Sequence, residues 1–370
     1  MRIPVNEPVI TAAAKTYVNE ALETGWISSS GPFIGKFEEE FAKFLGVKHA
    51  MTASSGTTAL HLALLALGIK EGDDVIVPAF TMIASVDAIL YTGASPLFVD
   101  AEPETFNIDV TKIEAQITQR TKAIMPVHLY GHSADMDPIL ALAKKHKIAV
   151  VEDAAEAHGA LYKRRKCGAM GTINCFSFYG NKIVTTGEGG MVVTDDDALA
   201  KRVRTLKDLA HAPGRRFWHE EVGYNYRMTN LQAACGLGQL EHVHDFLETK
   251  EWMAQAYAKG LGGIRGLRLP ITKAYAENVH WMYAVVVEDG CTLSRDELCK
   301  RLAEHGIDSR PFFFSAPSMP FLSHFAQGES FPVAEDLSRR GFYLPSGLAL
   351  TQDQLDAVCR AVHSILDDAA

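Results

Sequence analysis

The residue whose type and neighbours most clearly suggest catalytic chemistry is a lysine between an aromatic segment and a glycine-rich turn. Lys182 follows residues 176–179, which read FSFY, and precedes residues 187–190, which read GEGG. Surroundings of this kind can keep a lysine out of water, and the neutral amine that results forms Schiff bases with carbonyl compounds. An ordinary solvated loop lysine is the alternative. The aromatic and glycine neighbours of Lys182 favour the reactive interpretation.

Three acidic residues lie close together in the sequence at the end of an apolar strand candidate. Glu152 and Asp153 come directly after residues 148–151, and Glu156 lies three positions further on. An aspartate at a strand tip could hold a protonated heterocyclic nitrogen, although a buried carboxylate needs a cationic or donor partner. The alternative is that these acids complement the dipole of a following helix. That alternative explains Glu152 or Glu156 better than Asp153.

Two further segments have residue types that suit a ligand. Residues 54–58 read SSGTT and open an apolar helix, whose free N–H groups and dipole would attract an anion near Gly56 and Thr57. An ordinary helix cap with a tight turn is the alternative. Residues 222–234 form a polar and aromatic loop before a helix that Thr229 or Asn230 could cap. This loop either faces a ligand, including one held by a neighbouring subunit, or serves only as a connection.

The elements that must position these segments alternate between helix and strand from about residue 36 to 210. The helical patterns cover residues 37–45, 57–67, 136–146 and 198–209, and the strand candidates cover residues 75–77, 97–99, 123–127, 148–151, 175–178 and 191–194. Several of the strands are nearly continuous apolar runs, as expected for strands covered on both faces. We therefore predict an α/β fold with a mostly parallel mixed sheet between helices, and ligands in such sheets bind at the carboxyl ends of strands.

The pattern changes after about residue 235. A long helical stretch is predicted from Leu231 to about Leu261, followed by a strand at 283–287 and helices at 294–305 and 352–366. We interpret this part as a smaller α+β domain. The predicted division is a large domain at residues 1–245 and a small C-terminal domain at residues 246–370.

Composition excludes several classes of function. The 370 residues include 36 Lys and Arg against 45 Asp and Glu, and the net charge of −9 argues against a general affinity for nucleic acids. No apolar run reaches the ~20 residues of a membrane span. The N-terminus reaches Asn6 and Glu7 before a signal-peptide core could form, so we expect a cytoplasmic protein. The six cysteines form no CxxC pair, which favours reduced thiols and no metal site.

Nearly from end to end, the sequence resembles the sugar aminotransferases of the DegT/DnrJ/EryC1/StrS family. The resemblance rests on WISS at 26–29, GTTALHLAL at 56–64, VHLYG at 127–131, EDAAEA at 152–157, FSFYGNK at 176–182, GEGG at 187–190 and GYNYRM at 223–228. It implies the fold type I architecture of enzymes that use pyridoxal 5′-phosphate (PLP), with the cofactor in the large domain. It also implies glutamate as amino donor and a homodimer with shared active sites.

The resemblance further implies a role for individual residues. Lys182 would bind the PLP aldehyde as a Schiff base, Asp153 would hold the pyridine nitrogen, and Glu156 would lie near the ring oxygen O3′. The phosphate would be held by Gly56, Thr57 and Ser177, with Asn225 reaching across from the other subunit. Trp26 and Arg310 are the predicted substrate contacts. Within the family, the sequence is most similar to members that aminate C4 of GDP-4-keto-6-deoxymannose.

Two departures from the family pattern concern the cofactor and the substrate. Met82 stands where the family often has an aromatic residue stacked on the cofactor ring, and a thioether packs there less rigidly. Pro317 replaces a histidine that can face the substrate. An aminotransferase for a UDP- or dTDP-linked keto sugar therefore stays open as an alternative. A PLP-dependent sugar dehydratase, whose relatives have histidine at the position of Lys182, and a PLP-binding regulator are the remaining alternatives.

Overall fold

The computed structural model describes residues 2–369 except 213, 216 and 327, and these residues form eleven α-helices and fourteen β-strands. The helices are α1 Ala12–Glu23, α2 Pro32–Leu45, α3 Gly56–Ala66, α4 Ala84–Tyr91, α5 Met136–His146, α6 Asp197–Lys207, α7 Asn230–Leu240, α8 Val243–Leu261, α9 Arg295–Glu304, α10 Pro332–Arg340 and α11 Gln352–Asp367. The strands are β1 His49–Ala53, β2 Asp74–Pro78, β3 Ser95–Val99, β4 Thr121–Ile124, β5 Ala149–Asp153, β6 Leu161–Tyr162, β7 Arg165–Lys166, β8 Ile173–Ser177, β9 Gly190–Thr194, β10 Leu267–Arg268, β11 Ala276–Glu277, β12 Tyr283–Val287, β13 Arg310–Pro311 and β14 Gly341–Leu344.

Seven strands form the central sheet in the order β1-β9-β8-β5-β4-β2-β3. Only β9 is antiparallel to its neighbours β1 and β8, and the other four pairings are parallel. The residues of β2, β8 and β9 are buried throughout, because helices cover both faces of the sheet. The expected α/β fold with a mostly parallel mixed sheet is confirmed.

The register between β5 and β8 brings the ends of two predicted ligand segments together. Asp153 pairs with Cys175, and the next residues of β8 lead to Ser177. Since the two strands are parallel, their carboxyl ends open at the same edge of the sheet. The acidic segment and the strand that precedes Lys182 therefore meet there.

Two glycines let the start of α3 approach this edge closely. A Cβ on Gly56 would lie 2.7 Å from the Cβ of Ser177, and a Cβ on Gly190 would lie 2.2 Å from the carbonyl oxygen of Ser55. Side chains at these positions would push the helix away from β8 and β9. Ser55 caps the helix in a reciprocal arrangement with Thr58, so the start of α3 has the helix cap that the sequence left open as an alternative.

The long helical stretch predicted from Leu231 to about Leu261 is helical but interrupted once. The segment contains α7 and α8, separated by Glu241 and His242, and His242 has non-helical angles of φ −107° and ψ 12°. Helix α7 lies against α1 and α2. Helix α8 begins in the same core with Val243 and Phe246, and its later turns pack against α11. Each helix has its own apolar face, so the sequence shows helical periodicity on both sides of the break.

A second sheet has the order β10-β12-β14-β13 and packs with α8, α9 and α11. Its core includes Tyr257, Val285, Leu298 and Val358, each at most 1% exposed. Residue 245 lies inside α8, and the division into domains at that point stays a prediction. Among the described helices, none has the length and hydropathy that a membrane span requires.

Glu152 anchors the end of β5 through a set of four hydrogen bonds. Its side chain is fully buried and accepts from the N–H groups of Gly168, Met170 and Gly171. The fourth donor is Nε2 of His128 at 2.8 Å, since Nδ1 of that ring accepts from the Ala134 N–H. All four donors point at a carboxylate, which makes this residue a structural part of the fold.

We expect Glu152→Gln to destabilise the protein by about 3 kcal/mol, because the amide nitrogen would face N–H donors and leave them unpaired. Urea unfolding followed by circular dichroism measures the change. Glu241→Gln is the matched control, since Glu241 is exposed and accepts only from the Tyr17 hydroxyl among the described residues. Equal unfolding midpoints for the two variants would contradict this account of Glu152.

Candidate active site

A cavity of about 280 Å³ lies at the edge of the sheet where β5, β8 and the start of α3 meet. Polar groups from these elements line one side of it. Aromatic side chains from the C-terminal part of the chain, beyond residue 245, also line it. The lining residues are Ser55, Gly56, Thr57, Leu60, Met82, Ala84, Val127, Asp153, Ala155, Glu156, Ser177, Tyr179, Asn181, Lys182, Glu188, Trp281, Phe313 and Tyr343. Seven of the ten predicted site residues are among them.

The Lys182 side chain is only 9% exposed, and its amine faces both a carboxylate and an aromatic ring. Its Nζ lies 3.9 Å from Oε1 of Glu156 and 3.6 Å from the centroid of the Trp281 ring. Burial lowers the pKa of Lys182, and the charges of Glu156 and Asp153 oppose this shift. The interpretation of Lys182 as a solvated loop residue is therefore excluded, and the amine suits nucleophilic chemistry.

Glu156 is the nearest acid to that amine. Its Oε2 accepts the Tyr130 N–H at 2.7 Å, which directs the other oxygen towards Lys182. Burial raises the pKa of Glu156 to about 7, while the positive charge of Lys182 opposes the rise. Because burial moves the pKa of the acid up and that of the amine down, the pair can exchange a proton at small cost.

Asp153 ends β5 with both carboxylate oxygens in use. Oδ2 accepts the Ser85 hydroxyl at 2.7 Å, and Oδ1 accepts the Ala155 N–H at 3.1 Å. Burial raises the pKa of Asp153, and the Ser85 hydrogen bond opposes this by favouring the ionised form. Residues 154–160 form turns, so the interpretation of these acids as helix-start charges is wrong. A protonated ring nitrogen in the cavity would supply the cation that a buried carboxylate requires.

The start of α3 forms a cradle for an anionic group. The N–H groups of Gly56 and Thr57 lie in the first turn and have no partner within the helix. The Ser177 hydroxyl lies beside them, and a Cβ on Gly56 would be 3.1 Å from its oxygen. The helix dipole adds a partial positive charge at this point. The donors suit a phosphate, the carboxylate of Asp153 suits a pyridinium, and Lys182 suits an aldehyde, so the residues present fit PLP.

Three predicted site residues do not line the cavity. Trp26 is 54% exposed, and Asn225 is exposed in a loop where it forms a β-bridge with Asp208. Arg310 is exposed and pairs with Tyr343 across β13 and β14, which places it next to a lining residue. Met82 does line the cavity, but 45% of it is exposed. The roles predicted for these four residues stay predictions.

Sequence reasoning missed the aromatic wall of the cavity. Trp281 precedes β12, Tyr343 belongs to β14, and Phe313 follows β13. These residues stand in no short motif, and only the topology of the second sheet brings them to the edge of the first. The aromatic run at residues 312–314 was the one local signal.

Comparisons with known proteins agree with this geometry. The sequence pattern described as the DegT/DnrJ/EryC1/StrS aminotransferase family matches residues 8–363. Relatives named GDP-perosamine synthase include one from Caulobacter vibrioides, 48% identical over 99% of this chain and 98% of its own, and one from Escherichia coli O157:H7, 47% identical over 99% of both chains.

A solved structure of Streptomyces venezuelae DesV in complex with a ketimine intermediate superposes with a TM-score of 0.91 at 36% identity, covering 100% of this chain and 98% of that one. The family match covers far more than half of the sequence, and the relatives are similar along their whole length. This chain belongs to the DegT/DnrJ/EryC1/StrS family and is a PLP-dependent sugar aminotransferase.

Proposed function

We propose that this protein transfers the amino group of glutamate to C4 of GDP-4-keto-6-deoxymannose and so produces GDP-perosamine. The observation that carries the proposal is the buried Lys182 amine between Glu156 and Trp281 in a cavity that fits PLP. The two GDP-perosamine synthases, which are similar over nearly their whole length, support the choice of sugar. Overall, the ketone oxygen of the sugar and the amino group of glutamate change places.

Each part of the cofactor has a group in the cavity that suits it. We assign the phosphate to the N–H groups of Gly56 and Thr57 and the Ser177 hydroxyl, and the ring nitrogen to Asp153. Lys182 is assigned as the residue that binds the cofactor covalently. PLP, when bound, supplies an electron sink that makes the proton on the amino-bearing carbon of a substrate removable.

The residues of this chain provide charge, placement and proton transfer. The Asp153 carboxylate favours a protonated ring nitrogen, because opposite charges attract strongly where water is excluded. When it is not bound to the cofactor, the Lys182 amine would be placed to carry a proton between carbon atoms of the substrate. Glu156 is placed to accept a proton from Lys182 or return one, and such acid–base catalysis contributes ~10²- to 10⁴-fold in rate.

The charge of the cavity supports a site that is completed by groups at its rim or from a second subunit. Lys182 is the only cation among the described lining residues, against the carboxylates of Asp153, Glu156 and Glu188. Glutamate and a GDP-linked sugar are both anions, so donors and cations must come from the rim or from another chain. We assign this role to Arg310 at the rim and to the partner subunit's Asn225 at the phosphate.

Exposed apolar side chains support a homodimer. Trp26 and Ile27 are 54% and 48% exposed, and Trp218 and Val222 are 49% and 76% exposed. Large apolar side chains with this exposure often mark surfaces that another protein covers. Residue 222 also opens the loop that carries Asn225.

Borohydride reduction tests the assignment of Lys182. After reduction of the PLP-loaded protein, we expect mass spectrometry to find the cofactor on the tryptic peptide that contains Lys182. Lys182→Ala removes the label, whereas the exposed Lys144→Ala control keeps it. A label on another lysine in the unmodified protein would overturn the assignment.

The substrate is tested by incubating the protein with glutamate and GDP-4-keto-6-deoxymannose. We expect equal amounts of 2-oxoglutarate and of a GDP-linked sugar with nitrogen at C4, identified by NMR. The UDP- and dTDP-linked keto sugars, as matched alternatives, should react at least tenfold more slowly. Preference for one of them would overturn the GDP assignment, a deoxygenated product without nitrogen would indicate a dehydratase, and no 2-oxoglutarate with any sugar would indicate a regulator.

Subunit mixing tests whether Asn225 serves the neighbouring site. Lys182→Ala should abolish activity, and Asn225→Ala should lower it about tenfold, because a hydrogen bond to the phosphate is lost. After the two variants are unfolded and refolded together, about a quarter of the wild-type activity should return, since half of the random dimers are mixed and each has one complete site. Activity equal to the mean of the two separate variants would contradict a shared site.

A further inference from the structure

A second buried lysine lies outside the cavity and has no carboxylate partner in the part of the chain that the structure describes. Lys250 of α8 is 2% exposed, and its Nζ donates to two backbone carbonyl oxygens. One belongs to Trp281 at 2.9 Å, and the other belongs to Ser346. Burial alone lowers its pKa to about 7. Since burying an amine is costly, a side chain kept for packing would be better served by an apolar residue of the same length.

The first of these carbonyls belongs to the residue that covers Lys182. The Trp281 ring lies against the Lys182 amine at 3.6 Å, and its indole N–H donates to the Asn181 carbonyl at 2.7 Å. The indole therefore holds both the backbone before Lys182 and the end of its side chain. Any movement of the Trp281 backbone would change how much water reaches that amine.

The backbone before Trp281 needs such a restraint. His280 has a φ of +45°, a conformation that residues other than glycine rarely adopt. It is held by the Asn278 side chain, which accepts the His280 N–H at 2.8 Å, and by the Val279 N–H, which donates to the Gly131 carbonyl. The Lys250 hydrogen bond to the Trp281 carbonyl restrains the same segment one residue later. Without it, the strain at His280 would favour relaxation.

The second carbonyl connects Lys250 to the other aromatic strand of the cavity. Ser346 follows β14, to which the lining residue Tyr343 belongs. The Ser346 hydroxyl accepts the Tyr283 N–H at 2.9 Å and donates to the Leu344 carbonyl at 2.6 Å. Lys250 thus joins the segment before β12 to the segment after β14.

We propose that Lys250 is a positioning residue, whose amine ties the Trp281 carbonyl to the Ser346 carbonyl and so fixes the indole over the Lys182 amine. The inference goes beyond the proposed function and rests on it only for the importance of Lys182. Lys250 touches neither cofactor nor substrate in this role. It acts by keeping water away from the reactive amine.

The test measures the pKa of the Lys182 amine in the full-length protein freed of PLP. The rate of amidination of Lys182 by methyl acetimidate is followed against pH by mass spectrometry. In Lys250→Met, which keeps the length and apolar volume, the indole should move away and water should reach the amine. Burial is the largest cause of the lowered pKa of Lys182. We therefore expect the midpoint of the profile to rise by about one pH unit or more, which corresponds to a tenfold smaller neutral fraction.

Loss of the contact with the Trp281 ring would lower the pKa of Lys182, whereas hydration of the amine would raise it. The loss of the ring is the smaller of these two effects. A cation over an aromatic face is stabilised, so removing the ring would by itself lower the pKa. Glu156 and Asp153 raise the pKa of Lys182 and are unchanged in the variant. A rise in the midpoint therefore reports hydration of the amine.

Tyr257→Phe is the matched control for a merely structural role. Tyr257 lies on the same helix, and its hydroxyl donates to the Pro345 carbonyl at 2.9 Å, next to Ser346. This variant should lower the melting temperature and leave the Lys182 profile unchanged. A wild-type profile in folded Lys250→Met, or an equal shift in Tyr257→Phe, would overturn the proposal. If Lys250→Met does not fold, Lys250→Gln, which is too short to join both carbonyls, is judged by the same two outcomes.

Failure of this inference is distinct from failure of the proposed function. The profile is measured without cofactor or substrate and depends only on the surroundings of Lys182. Borohydride mapping could therefore place PLP on Lys182 while the Lys250 variant leaves the pKa of Lys182 unchanged. Equally, the variant could shift that pKa while the mapping places PLP on another lysine.

Discussion

The burial of one amine beside one acid is the interaction on which the proposed chemistry of this protein depends. An isolated lysine in an apolar site would lose its proton, and an isolated glutamate there would gain one. At 3.9 Å, Lys182 and Glu156 each moderate the shift of the other. Burial therefore brings the pKa values of the amine and the acid closer together, which suits proton transfer between carbon atoms. The Trp281 ring and the surrounding elements preserve that balance by excluding water.

Close backbone approach makes this burial possible. Gly56 and Gly190 allow the start of α3 to lie against β8 and β9, where any side chain would separate them. The same approach places two free N–H groups next to the Ser177 hydroxyl. The close packing of α3 against β8 and β9 therefore forms the anion cradle and also closes this side of the cavity. A substitution that separated α3 from the strands would disrupt both.

Local signals in the sequence account for much of the fold and for the polar half of the site. Met136–His146 and Tyr283–Val287 have the predicted bounds, because their apolar periodicity is strong and uninterrupted. Asp153 could be singled out because an acid at the tip of an apolar strand needs a partner. The aromatic half could not be predicted from spacing, since Trp281 and Tyr343 reach the cavity through the pairing of β12 with β14. The break between α7 and α8 could not be predicted either. Each helix has its own apolar face, so the helical periodicity is present on both sides of the break.

The three acids of the segment at 152–156 show how the number of donors decides the role of a carboxylate. Glu152 accepts four hydrogen bonds from fixed donors, so it has no capacity left for a ligand. Asp153 accepts two, from Ser85 and Ala155, and keeps lone pairs that face the cavity. Glu156 accepts one backbone N–H, and its other oxygen lies 3.9 Å from the Lys182 amine. The order from structural anchor to proposed cofactor holder to proposed proton carrier therefore follows from how many hydrogen bonds each carboxylate already accepts.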